Sequence, residues 1–378
     1  MEQEMFRYAD EIGPNKIIHV HEPSIGLKAI LVIDNTARGP SLGGVRMAPD
    51  VSTEECFRLA RAMTLKNAAA DLPHGGGKAV LFGDPKIPKA QKAQLIRALA
   101  QALRTEEDYI FAPDMGTDEE CMAWVRDEIG RVVALPRALG GIPLDEIGAT
   151  GFGLGHVAEV AAPYCGITLS GARVVVQGFG AVGKHAARTL VDKGAVIVAV
   201  SDSRGAIHDR NGLDIAELLR LKDAGKSVAD AARGTRRERD ALLGVACDIW
   251  IPAARPDVIT EANVDQLNCK LVLQGANIPA THAAERRLSR RGILYVPDFI
   301  ANAGGVICAA MEYQRASESA VYAAIAEKLR RNTEQVLTRA KREQVEPRQA
   351  AIELALERVK AAMSYRRFST FSCAPHYV

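Results

Sequence analysis

The stretch Ala172-Arg-Val-Val-Val-Gln-Gly178-Phe-Gly180-Ala181-Val182-Gly183 limits what this chain can fold into more than any other. The β-branched run reads as a buried strand, the glycines as a tight turn, and the residues to Lys193 as a helix. A second strand pattern, Ala195-Val-Ile-Val-Ala-Val-Ser, ends at Asp202. In that context Gly178 permits the turn, Gly180 the close approach of a pyrophosphate, and Gly183 the packing of helix on strand. The helix N-terminus, at Ala181 and Val182, faces the phosphates. Asp202 suits the hydroxyls of an adenosine ribose. The prediction is a Rossmann-type, doubly wound dinucleotide-binding domain.

Three further strand patterns support a parallel sheet: Ile249-Trp-Ile-Pro, Leu271-Val-Leu and Ile293-Leu-Tyr-Val. Each ends in a small or polar loop, where a parallel sheet places its site. Those loops carry Ala253, then Gly275-Ala-Asn277, then Asp298 to Gly305. The stretch from Ala216 to Arg239 reads as helical and basic. Its arginines alternate with acids and lack aromatic neighbours, so they mark a solvated face rather than a nucleic-acid surface.

The first part of the chain also reads as α/β. Lys16 to His21 and Lys28 to Asp34 are strand patterns, and Arg38 to Arg46 reads as a turn-rich loop. Ser52-Thr-Glu-Glu55 fits a capping box and opens a helix to about Asp71, with Met63 and Lys66 near one side of its last turns. Gly75-Gly76-Gly77 then reads as a turn before a strand starting at Lys78. That order aims two ammonium groups, Lys66 and Lys78, toward one cleft. Paired cations suit a carboxylate ligand, and each disfavours the charge of the other. Tyr109-Ile-Phe-Ala is a short strand leading to Asp114, a carboxylate at a strand end. The Gly- and Pro-rich segment Leu135 to Pro143 marks a hinge. The expected domains are residues 1–136, completed by C-terminal helices over 330–378, and residues 137–329.

Totals matter mainly for what they exclude. A formal net charge of +2 gives no reason to expect nucleic acid or an anionic membrane as partner. No apolar run approaches a membrane span, and the first residues show no signal-peptide pattern. Seven dispersed cysteines (56, 121, 165, 247, 269, 308, 373) read as reduced thiols of a cytoplasmic protein. His19-x-His21 lies in a strand pattern, so no metal is expected.

Ordered blocks along nearly the whole chain resemble the glutamate/leucine/phenylalanine/valine dehydrogenases. They are Gly-Pro-Ser-Leu42-Gly43-Gly44-Val-Arg, Met63-Thr-Leu-Lys66-Asn, Gly75-Gly-Gly-Lys78, Pro113-Asp114-Met-Gly-Thr, Ala149-Thr150-Gly151, the dinucleotide fingerprint, Gln274-Gly-Ala-Asn277 and Asn302-Ala-Gly304-Gly305-Val. The resemblance implies reversible deamination of an L-amino acid to a 2-oxo acid and ammonia with a nicotinamide cofactor. It implies that Lys66 holds the substrate α-carboxylate beside Gly43 and Gly44, and that Lys78 is the catalytic amine, its pKa lowered by burial and by Lys66. Asp114 would exchange protons with the substrate amine. Asn277 would position the amino group or nicotinamide, and Thr150 the carboxamide. Closure of the two domains would exclude water. A homo-oligomer is also implied.

Two positions depart from the glutamate-specific pattern. Members of that branch resemble one another in carrying a lysine at the place of Leu42 and a serine at the place of Ala309. Both of those contact the substrate γ-carboxylate, whereas Leu42, Ala309 and Met63 offer it no counter-charge. The expected substrate is therefore an apolar L-amino acid. The alternatives are a glutamate enzyme that finds its ligand elsewhere, for example at Arg46 or His74, and a non-catalytic dinucleotide-binding regulator. For the cofactor, Asp202 favours NAD, while Ser203 and Arg204 leave room for NADP.

Overall fold

The computed structural model describes residues 6–365. Cys373, the end of the expected 330–378 segment and the first five residues lie outside that range. The described chain divides into two compact units. Unit 1 takes in residues up to Pro143, Val306–Val321 and residues from Ile352 onward; unit 2 takes in Leu144–Gly305 and Tyr322–Ala351. Relative to the expected domains, residues 330–351 fall in the second unit and 306–321 in the first.

Unit 1 is built on a sheet of β1 (Lys16–Glu22), β2 (Leu27–Asn35), β3 (Ser41–Ala48), β4 (Gly75–Phe82) and β5 (Tyr109–Pro113), in the order β1-β2-β4-β3-β5. The β1–β2 and β2–β4 pairs are antiparallel, while β3 runs parallel to both β4 and β5. The helices of this part are α1 (Thr53–Ala69), α2 (Lys89–Ala102) and α3 (Glu119–Ile129). Helix α1 starts where Ser52 Oγ accepts from the Glu55 amide. Leu31, Ile33, Val45, Leu81, Leu99 and Phe111 share one buried core. Complete burial of such side chains contributes roughly 1.5–3 kcal/mol each.

Two expectations fail here for one reason. The segment around Leu42 is strand rather than loop, and β4 begins at Gly75 rather than Lys78. The glycines are strand residues because close neighbours leave no room for side chains. A Cβ on Gly76 would stand 2.0 Å from the Thr64 amide nitrogen, and one on Gly43 would stand 1.7 Å from the Gly77 carbonyl oxygen. Helix α1 and strand β3 thus approach β4 at distances that only glycine allows.

Unit 2 opens with α4 (Ala149–Ala161), β6 (Arg173–Gln177), α5 (Ala181–Asp192) and β7 (Val196–Asp202). It continues with β8 (Gly205–His208), α6 (Ile215–Asp223), β9 (Thr235–Arg237), β10 (Ile249–Pro252), β11 (Leu271–Leu273), α7 (His282–Arg290), β12 (Leu294–Val296) and α8 (Asp298–Ala301). The sheet order is β12-β11-β10-β6-β7-β8-β9, parallel from β12 to β7 and antiparallel beyond. The chain reverses its direction of winding between β6 and β10, which is where doubly wound sheets bind ligands. The expected helix from Ala216 to Arg239 ends at Asp223. Gly225 and Gly234 then take positive φ values of 69° and 103°, and the chain turns into β9.

The remaining helices are α9 (Gly304–Tyr313), α10 (Glu318–Glu343) and α11 (Pro347–Ser364). Helices α8 and α9 occupy and extend a segment expected to be loop. Among the described residues no helix is long and apolar enough to cross a membrane.

Candidate active site

In unit 1 the parallel pairing of β3 with β4 and β5 brings Lys78, Asp114 and the Gly43-Gly44 backbone together. Lys78 Nζ lies 2.9 Å from Asp114 Oδ2, and Arg46 Nε lies 2.7 Å from the same oxygen. Arg46 also reaches Glu55 Oε1 at 2.6 Å. The Asp114 amide donates to Thr117 Oγ1, whose hydroxyl in turn donates to the Val45 carbonyl. Asp118, not Asp114, caps α3, so Asp114 is released from that structural task. The Tyr109 hydroxyl donates to the Gly43 carbonyl at 2.7 Å, with the Gly44 carbonyl at 3.2 Å. A Cβ on Gly44 would stand 2.7 Å from Asp114 Cβ and 3.2 Å from Lys78 Nζ. Glycine at 44 therefore keeps the ion pair uncovered.

Lys78 is only 5% exposed. Burial lowers its pKa below the ordinary lysine value, Asp114 opposes that shift, and Arg46 adds to it. The sequence names Lys66 as a neighbouring cation; the structure adds Arg46, which shares the Asp114 carboxylate with Lys78. For Asp114, burial favours the neutral acid, but Lys78 and Arg46 outweigh it and hold the carboxyl below its usual range. A carboxylate that stays ionised beside an amine that gives up its proton more easily than an ordinary lysine suits proton exchange.

Lys66 sits half-buried in the last turn of α1. Its neighbour Asn67 donates to the carbonyls of Leu42 and Gly75, which ties that turn to β3 and β4. Leu42 and Ala309 meet in one buried apolar cluster with Ile110 and Val133, flanked by Ala112 and Tyr313. Met63, half-buried on α1, is not among them. His74 is buried, takes the Pro40 carbonyl as partner of Nδ1, and packs edge-on to Tyr313. Burial lowers its pKa to about 4, so it is neutral near pH 7.

In unit 2 the glycine fingerprint sits between β6 and α5. Gly178 has φ +96° and packs against Ala254, beyond the end of β10. A Cβ on Gly183 would stand 1.9 Å from the Gly178 carbonyl oxygen, whereas nothing lies within 4 Å of one on Gly180. Gly180 makes no side-chain cap on α5, which leaves the first-turn amides of Ala181 and Val182 for a phosphate. The donor set and the open approach fit a dinucleotide. The Ala253 amide donates to the Gln177 carbonyl across the strand ends. Thr150 lies in the first turn of α4, one residue past Ala149, and Gly148 rather than Thr150 is its cap. Asn277 Oδ1 accepts from Asn302 Nδ2 at 2.9 Å.

Asp202 departs from expectation. Its Oδ1 accepts from the Arg204 amide and the Ser227 hydroxyl, and its Oδ2 from Lys222 Nζ and the Val228 amide. Both oxygens are spent on the protein itself. Ser203 beside it is exposed. Sequence reasoning also missed Arg348, which reaches Glu285, Asp298 and Gln274 beneath the Gln274–Asn277 loop. Its place at the start of an amphipathic helix gave no signal of that role.

Among the described residues no cluster of metal-ligating side chains occurs. Residues 14–131 match the Glu/Leu/Phe/Val dehydrogenase dimerisation domain, and residues 140–367 match the Glutamate/Leucine/Phenylalanine/Valine dehydrogenase model. The glutamate dehydrogenase of Aeropyrum pernix is 38% identical over 356 residues, spanning 88% of this chain and 85% of that protein. The NAD-specific glutamate dehydrogenase of Staphylococcus aureus is 36% identical over 352 residues, spanning 88% and 84%. A crystal structure of hetero-hexameric glutamate dehydrogenase from Thermus thermophilus in its Leu-bound form superposes with a TM-score of 0.81, at 31% identity, over 94% of this chain and 90% of that one. The chain belongs to the Glu/Leu/Phe/Val dehydrogenase family. It is an enzyme of the amino acid dehydrogenase class, with NAD(P) as its cofactor.

Proposed function

We propose that the chain catalyses reversible oxidative deamination of an L-amino acid to its 2-oxo acid and ammonia, with Lys78 and Asp114 as the catalytic pair. The observation that carries this reading is the buried Lys78 amine, its proton affinity lowered, held 2.9 Å from the Asp114 carboxylate on a floor kept open by Gly44. Asp114 takes and returns the proton of the substrate amine. Lys78 orients the attacking water and stabilises the oxygen that develops negative charge. Lys66, with the backbone at Gly43 and Gly44, holds the α-carboxylate. A bound nicotinamide cofactor would supply the acceptor for a hydride. Gly178, Gly180, Ala181, Val182 and Gly183 would hold its pyrophosphate, and Thr150, Ala253 and Asn277 would orient the rest.

On the side chain of the substrate, the relatives' names back glutamate more than the apolar amino acid expected from the sequence. A glutamate substrate needs a counter-charge for its γ-carboxylate. Of the two ligands suggested by the sequence, Arg46 is engaged by Asp114 and Glu55, and His74 is neutral. The apolar cluster of Leu42 and Ala309 is the observation that favours the second reading, a leucine-, valine- or phenylalanine-type substrate. Initial rates with a panel of L-amino acids and both cofactors decide between the two. Glutamate turnover far above the apolar set supports the first, and the reverse order supports the second. The match to a dimerisation domain and the hexameric Thermus relative support an oligomer.

A further inference from the structure

No cysteine takes part in the chemistry proposed above, yet two of them meet in unit 2. Cys247 stands two residues before β10 and Cys269 two residues before β11, which run side by side with Ile249 opposite Leu271. The two segments are already joined at the cysteines, where the Cys247 amide donates to the Asn268 carbonyl at 3.0 Å. Backbones joined in this way lie about 4.7–4.9 Å apart, inside the roughly 4.4–6.8 Å between Cα atoms that a disulfide spans. Both side chains are half-buried and pack against the same core cluster.

The two thiols are hydrogen-bond partners. That bond, and then burial, pushes the Cys247 thiol well up, so Cys247 keeps its proton and turns it toward Cys269. Arg173 works in the opposite direction and favours a thiolate beside it. A third thiol, Cys165, is pushed up to about 11 by burial and by the charge of Cys269. It ends the short helical turn Ala162–Cys165 and is the one competitor near the pair.

We infer that Cys247 and Cys269 form an oxidative modification site, which hydrogen peroxide converts to a disulfide that clamps β10 to β11. The Cys269 thiolate attacks one peroxide oxygen, the O–O bond breaks, and the hydroxide released takes up the thiol proton as water. Cys269 is left as a sulfenic acid. Cys247 then attacks that sulfur, and its proton leaves with the sulfenic hydroxyl as a second water. Two thiols are oxidised and one peroxide is reduced to two waters. The new bond closes the segment that contains β10 into a loop, which restricts the unfolded chain. The clamp sits at the N-terminal ends of β10 and β11, away from Ala253 and the Gln274–Asn277 loop at their other ends, so the inference does not rest on the proposed reaction.

The test treats the reduced full-length protein with hydrogen peroxide, maps the products by peptide mass spectrometry and follows the thermal melt. The expected result is a Cys247–Cys269 cross-link, two hydrogen atoms lighter than the thiol pair. The closed protein should melt a few degrees higher, and dithiothreitol should return it to its starting value. Cys165→Ser should behave in the same way. Cys247→Ser should stop at a sulfenic acid on Cys269, trapped by dimedone, with no rise in the melt. Thiols left unreacted at both positions, a link from either to Cys165, or a closed form that melts no higher overturns the inference. A Cys247→Ser protein without dimedone adduct at Cys269 overturns the assignment of Cys269 as the first thiol to react.

Discussion

Arg46 Nε lies 2.7 Å from Asp114 Oδ2, the same oxygen that Lys78 Nζ reaches at 2.9 Å. One carboxylate oxygen thus serves two cations of different character. Arginine stays charged at every working pH, whereas lysine can release its proton. The arrangement keeps Asp114 ionised and places a permanent positive charge beside Lys78. That charge, together with burial, sets how easily Lys78 becomes a neutral amine.

Replacing Arg46 with Met removes the fixed cation. The pKa of Lys78 lies below its ordinary value partly because Arg46 is there, so loss of Arg46 moves it upward. The neutral amine is the active form in this account. The rising limb of kcat/KM against pH should therefore shift to higher pH in Arg46→Met. A limb that stays in place, or moves down, shows that Lys78 is not the group being titrated.

Gly44→Ala places a methyl group against Asp114 Cβ and the Pro113 carbonyl, each 2.7 Å from the new carbon. The strand or the ion pair has to shift. A displacement of this kind should cost about a hundredfold in kcat/KM and about 1–3 kcal/mol in stability. Steady-state kinetics beside a denaturant titration check both. Full activity in a stable variant would mean that the pair tolerates crowding and that the open floor is incidental.

In unit 2, Arg348 holds two buried acids, Glu285 and Asp298, and Asp298 in turn accepts from the Ile278 amide. This network braces the loop that carries Asn277. Arg348→Met leaves both carboxylates without their cation and should cost about 3–5 kcal/mol. Adding Glu285→Leu should restore part of that loss, because one stranded charge is gone. A double variant less stable than the single one contradicts this explanation.

His74 makes stability depend on acid. Its folded pKa, about 4, lies below that of an unfolded histidine, so the unfolded chain binds the extra proton more readily. The contribution is complete above about pH 6.5 and is lost as pH falls toward 4. Denaturant midpoints measured across that range should fall less steeply for His74→Asn than for the unmodified protein. Parallel curves would assign the acid sensitivity to other groups.

What the sequence disclosed follows from the range of each interaction. The Gly178–Gly183 turn is local, and every residue that shapes it lies within a short stretch, so strand, turn and helix were all legible. The pairing of Arg46 with Asp114 spans 68 positions and exists only because β3 and β5 run side by side. Nothing local announces it. Gly75, Gly76 and Gly77 carry the composition of a loop. Their place inside a strand depends on Thr64, Asn35 and Ser41 packing where side chains would be. Asp202 was identified by position, but the partners that occupy it come from Lys222, Ser227 and Val228, on segments misread as one long helix.

The most direct test follows absorbance of the reduced nicotinamide while a panel of L-amino acids is offered to the unmodified protein and to Lys78→Ala, with folding of both verified by their melting curves. The account predicts clear oxidation of at least one L-amino acid by the unmodified protein, and a loss of about a thousandfold in kcat for that substrate in Lys78→Ala. Equal turnover by the two proteins, or none by the unmodified protein with either cofactor, contradicts it.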